Sequence, residues 1–155
     1  MDYLIAKWLH VLSATLLFGA GIGSAFYLLL ATMTRDARVV AAVAGFVVIA
    51  DWLFTATTMV FQPLSGIYMA HLVKLPLTTP WLLWSFVLYF VGLICWLPVV
   101  WLQMRMRDLA RAAAASGAPL PPRYWRCFTA WVALGFPALT AFVALFYLMT
   151  VKPAL

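Results

Sequence analysis

The sequence predicts an all-α protein, an integral membrane up-down four-helix bundle, and three observations carry that prediction. Of the 155 residues, 67% are hydrophobic and 9% charged, a balance far more apolar than a water-soluble domain of this size carries. Apolar runs long enough to cross a hydrocarbon core, which takes about 20 helical residues, recur four times, over about residues 3–31, 40–72, 81–104 and 124–151. The connections are short and have no periodic apolar pattern of their own. Residues 1–155 therefore read as a single transmembrane domain, and any chemistry must sit among the helices.

The first span follows Lys7, as a secretory signal would, but its apolar run is too long and MTRD follows it without a small-residue cleavage site, so it is expected to be retained. Gly19 and Gly23 form a small-xxx-small pair suited to close approach of another helix. With Gly21 they could instead leave room for a flat ligand. In the second span, Pro63 and Gly66 of FQPLSG are expected to kink or loosen the helix and free backbone carbonyls. HLVKLPLTTP, residues 71–80, makes the turn into the third span, which RMRDLARAAAA prolongs as helix until Gly117 and the three prolines of ASGAPLPP end it. Trp8, Trp81, Trp84, Tyr124 and Trp125 fall near span ends as an aromatic belt. Trp52, Trp96, Trp101 and Trp131 lie further in, as packing residues or as the lining of a cofactor pocket. Cys95 and Cys127 lie at depths that make neither a metal pair nor a disulfide, and they read as packing residues.

The net charge is +6, and seven of the ten cations are arginines gathered in two places. Arg35 and Arg38 separate the first two spans, whereas Arg105, Arg107, Arg111, Arg123 and Arg126 flank the third connection. The positive-inside rule makes both loops cytoplasmic and both termini external, in a bacterial inner membrane. Lys7, His10, His71 and Lys74 then face the outer side. Arginines beside spanning helices meet anionic lipid in the bilayer, and no nucleic-acid partner is expected. The chain has no glutamate, no Cys-x-x-Cys, no glycine-rich phosphate loop and no Ser-His-Asp set. Two-metal, carboxylate-pair and covalent hydrolytic chemistry are excluded on that ground.

Asp51 is the only acid well inside a span. An ionised aspartate there costs about 2.5 to 3.5 kcal/mol even on lenient insertion scales. It is expected to be neutral or paired and to face the bundle interior, as a proton relay, a ligand contact or a structural partner of Ser24, Thr55 or Gln103. His10 and His71 are the only histidines, and the topology brings both to one half of the membrane. Imidazole ligates heme iron, and a four-helix bundle can hold a porphyrin between facing helices. His10 lies about 10 Å into its span at 1.5 Å per residue, whereas His71 lies almost at the end of its own. Their depths differ, and an interfacial polar role is the other reading of each.

The segments YLIAKWLHVLSATLLFGAGIGSAF, ADWLF, FQPLSGIYMAH, PWLLWSFVLY, WLPVVWLQMRMRDLA and FYLMTVKP together resemble, over nearly the full length, a bacterial family of predicted integral membrane proteins of unknown function. The first helix alone is similar to that of the heme-dependent protoporphyrinogen oxidases and their copper-resistance-type relatives, which also open with lysine, two residues and histidine. That likeness implies a heme b held by His10, with Lys7 one turn before it. Those oxidases carry a histidine and a lysine after a Trp-Leu pair in their third helix. Here Leu83 and Trp84 follow Trp81 and Leu82, so His71 is the candidate second ligand. The leading expectation is thus a membrane heme b protein for electron transfer, with a quinone as partner, Gly21 making room, and Lys7 or Lys74 pairing with a propionate. The alternatives are a cofactor-free accessory subunit of a membrane complex, a homo-oligomer included, and a small proton-coupled transporter using Asp51.

Overall fold

A computed structural model describes residues 1–153. Four helices are long and apolar enough to cross a membrane: α1 (Asp2–Met33), α2 (Ala37–Leu72), α3 (Pro80–Ser116) and α4 (Pro122–Val151). All the described secondary structure is helical, and the up-down order follows from the short connections. The α1–α2 turn is dictated by Thr34, Arg35 and Asp36. The Thr34 hydroxyl donates to Ala31 O at 2.7 Å, Arg35 takes a left-handed φ of 58°, and the Asp36 carboxylate caps α2 by accepting from Arg38 N at 2.7 Å. Pro80 and Pro122 stand at the first helical positions of α3 and α4, where a missing N–H costs nothing. Gly117 ends α3 at φ 68°. With 37 residues, α3 is about 55 Å long and overruns a hydrocarbon core of about 30 Å. RMRDLARAAAA is the projecting part, as the sequence suggests.

The helices close most tightly at the arginine end. There α3 packs along α4 and against the first half of α2, and α1 packs on α2. Leu28, Val40, Ala44, Met106 and Tyr124 are wholly enclosed. The Tyr124 hydroxyl lies 2.7 Å from Thr32 Oγ1, and Thr32 spends its own hydrogen on Leu28 O at 2.8 Å, so Tyr124 is the donor. Tyr124 is therefore a core residue tying α4 to α1, not a member of the aromatic belt. Trp125, its neighbour, is the one that lies beneath a charge, with the Arg35 guanidinium 6.0 Å from its ring.

The glycines of α1 correct a second expectation. A Cβ built at Gly19, Gly21 or Gly23 meets nothing within 4 Å, so these residues pack no helix of this chain closely. The close approach is at Gly92 of α3, where a Cβ would stand 2.8 Å from the Phe142 ring of α4. Of the deeper tryptophans, Trp52 and Trp101 turn outward at 59% and 52% exposure. Trp131 is buried and stacked on Phe128 with ring centroids 5.9 Å apart, and Trp96 alone of the four lines the main cavity.

The second span is not one uniform helix. Asp51–Thr55 is a π turn between Ala37–Ala50 and Ala56–Leu72, and the Ala56 N–H bonds back to Asp51 O. The break expected at Pro63 is thus preceded by one at Asp51. Such wide turns collect at functional sites.

Candidate functional site

Beyond its π turn, α2 carries a stripe of polar side chains. Asp51, Thr55, Thr58, Gln62 and Ser65 are all buried. From Thr55 on, the spacings of three, four and three place them within an arc of about 80° on a helix of 3.6 residues per turn, and Asp51 joins them through the π turn and its bond from Thr55. Hydrocarbon offers no hydrogen bonds, so a polar face on a spanning helix must turn inward and find its partners there. This stripe does so, and Asp51, Thr55 and Gln62 of it line a cavity of about 390 Å³.

The cavity exists because α1 and α4 make no extended backbone contact at the histidine end. They meet through Phe18 and Phe146, whose ring centroids are 5.0 Å apart in edge-to-face geometry. All four helices contribute to the lining, which is apolar apart from a few groups. Val11 and Thr15 of α1 and Leu139 of α4 line it while remaining exposed. The space therefore opens sideways toward lipid.

His10 is fixed at one end of this cavity by two residues of the stripe. Gln62 Nε2 donates to the His10 carbonyl at 3.0 Å, and Ser65 Oγ lies 2.7 Å from His10 Nδ1. The Ser65 hydroxyl also lies 2.8 Å from Phe61 O and 3.1 Å from Gln62 O. Having one hydrogen, it donates back to a carbonyl and accepts from His10 Nδ1–H. The Nε2 atom then carries the free lone pair, and no hydrogen bond occupies it among the described residues. A ring pinned through Nδ1 with Nε2 available is how a ligating imidazole is held.

Asp51 lies at the other end. Thr55 Oγ1 donates to its Oδ1 at 3.1 Å, and Gln103 stands beside the same carboxyl. Of the expected partners, Thr55 and Gln103 are in place. Ser24 is not, because it donates to Gly21 O at 3.2 Å instead. Among the described residues, Asp51 Oδ2 and Gln103 Oε1 make no hydrogen bond.

Pro63 explains a further contact. It has no N–H to give to the carbonyl four residues earlier, that of Met59, and the Tyr89 hydroxyl of α3 donates to Met59 O instead. The freed carbonyl expected from FQPLSG is thereby satisfied from a neighbouring helix.

The remaining candidates divide. Gly21 lines the cavity. His71 does not: it is exposed, makes no side-chain hydrogen bond among the described residues, and is absent from the lining. Six residues separate it from Ser65, about one and two-thirds helical turns, so it leaves the stripe and faces outward. The pairing of His10 with His71 across one site is thus not what the fold assembles. Lys7 and Lys74 are exposed near the same end, and Lys74 adopts a left-handed φ of 54° in its turn. Gln62, Ser65 and Tyr89 were not singled out from the sequence. The stripe spacing from Asp51 to Ser65 is the signal that finds the first two.

The family described as Predicted integral membrane protein (DUF2269) matches residues 4–153. The chain belongs to that family. No curated protein and no solved structure matches it. Membership supports the membrane-spanning fold and carries no activity, so the chemistry of this DUF2269 protein rests on its own residues.

The Pro63 and Tyr89 pairing is testable by a double-mutant cycle. Tyr89→Phe should cost about 1 kcal/mol of unfolding free energy, read by denaturant titration in mixed micelles, because it strands the Met59 carbonyl. In a Pro63→Ala background the carbonyl regains a helical donor, and the same change should cost at least about 0.5 kcal/mol less. Additive costs would contradict the assignment.

Proposed function

We propose that this protein holds a heme b in the cavity at its histidine end, with His10 Nε2 as the protein ligand to iron and electron transfer as the class of function. The observation that carries this reading is the 2.7 Å bond between His10 Nδ1 and Ser65 Oγ, which leaves Nε2 as the ring nitrogen without a hydrogen bond among the described residues. Bound heme would supply one-electron chemistry. The chain's residues orient the ligand through Ser65 and Gln62, leave space at Gly21, and exclude water with apolar walls. Met59 and Met149 are the cavity's sulfur-bearing residues and replace His71 as candidates for a second ligand. Lys7, exposed one turn before His10, would pair with a propionate at the cavity mouth.

A second reading, an accessory subunit of a membrane assembly or a homo-oligomer, is favoured by the groove of about 700 Å³ along α1 and α2. Gly19 and Gly23 line it beside Tyr27, Val43 and Phe46. Another spanning helix would fit there.

The two readings separate in the visible spectrum of protein expressed with heme supplementation. The heme reading expects a Soret band that His10→Ala abolishes and His71→Ala leaves intact. Ser65→Ala should weaken heme retention by about tenfold or more, as loss of an orienting partner does. A colourless wild type that copurifies with another membrane protein would give the case to the accessory reading. We also propose a bacterial inner-membrane location with the arginine end in the cytoplasm. Ser116→Cys in a Cys95→Ala, Cys127→Ala background, in sealed spheroplasts, should then resist a membrane-impermeant maleimide and react only after lysis. Labelling of intact spheroplasts would reverse the topology.

A further inference from the structure

We infer that the Asp51 end of the cavity binds the hydroxyl of a membrane-dissolved quinol, at a site separate from His10 and not dependent on the heme reading. Two side chains point to a ligand there. Asp51 and Gln103 are buried to 2% and 3% exposure, both line the cavity, and Asp51 Oδ2 and Gln103 Oε1 lack any partner. Two unsatisfied oxygens at membrane depth are costly, and their chemistry is complementary.

Among the described residues no lysine or arginine lines the cavity. A lone carboxylate at that depth is disfavoured, so Asp51 acts as the neutral acid. Its Oδ1 accepts from Thr55, which leaves the acid hydrogen on Oδ2 as a donor, while Gln103 Oε1 is an acceptor. A single hydroxyl satisfies both, accepting from Asp51 and donating to Gln103. A ketone, an ether or a hydrocarbon satisfies at most one of them.

The rest of the ligand is read from the walls and the entrance. The opening between α1 and α4 faces lipid, so the ligand arrives from the bilayer. Trp96 lies seven residues before Gln103 on α3, about two turns toward the histidine end, where it lines the space above the polar pair. A ring bearing the hydroxyl stacks there. An aromatic alcohol with an apolar tail is the chemical class of a lipoquinol. The α2 positions Asp51 and Gln62 are 11 residues apart, about 16 Å along the axis, so the hydroxyl site stands well away from His10.

The test uses a decyl-substituted benzoquinol and its bis-methyl ether, which keeps ring and tail but has no hydroxyl. Binding to the detergent-purified chain is measured anaerobically by calorimetry. Wild type should prefer the quinol by about tenfold or more, and Gln103→Leu should abolish that preference without weakening the ether. Equal binding of quinol and ether by wild type, or a preference retained in Gln103→Leu, would overturn the proposal. The wild-type comparison needs no variant to fold. His10→Ala, which removes the heme ligand, should keep the preference. A colourless wild type that still prefers the quinol therefore condemns the heme reading alone, and a heme-bearing wild type without that preference condemns this one alone.

Discussion

A hydrogen-bonding group in hydrocarbon has no water to fall back on, and α2 carries five such side chains on one face. The rest of the structure follows from that constraint. The stripe must turn inward, and once inward it cannot be covered by the close apolar packing seen at the arginine end. Gln62 and Ser65 bond instead to His10 on α1. The Met59 carbonyl, freed by Pro63, bonds to Tyr89 on α3. These bonds hold three helices around a space rather than around a solid core, so the two halves of the bundle differ in kind. One half is a packed anchor fastened by Tyr124 and Thr32, and the other is a cavity with a few fixed polar groups.

The fold was legible in the sequence because it rests on coarse quantities, the lengths of four apolar runs and the shortness of their links. A helix end was legible too where turn chemistry is local, as at Gly117. Depth along a span was readable, and direction around it was not. Tyr124 and Trp101 were misplaced for that reason: a nearly uniform apolar helix has no polar face to say which side meets lipid. Gly19 and Gly23 offered a packing motif, but the motif states only what a helix permits. At Gly92, with no motif around it, the packing actually happens.

The candidate site was half legible. His10 and Asp51 stood out as rare residues in apolar surroundings, and rarity in hydrocarbon is a physical signal because each such group is costly. Their partners did not stand out, since serine, threonine and glutamine are tolerated singly in spanning helices by bonding to their own backbone. Only the spacing from Asp51 to Ser65 shows that they act together. His71 misled because depth alone was compared, and the stripe has already left that face of α2 when the chain reaches it. The π turn at Asp51–Thr55 has no composition signature, and it sits where the stripe begins.

The inward direction of the α2 stripe is the claim on which the cavity, the held histidine and the acid at the far end all depend. Nitroxide labels at Thr58 and Ser65, and for comparison at Val60 and Leu64, would read it by collision with oxygen dissolved in the bilayer. Low oxygen accessibility at Thr58 and Ser65 with high accessibility at Val60 and Leu64, which are 63% and 61% exposed, is the predicted pattern. The opposite pattern would place the polar face toward lipid or toward another chain and would contradict the account at its base.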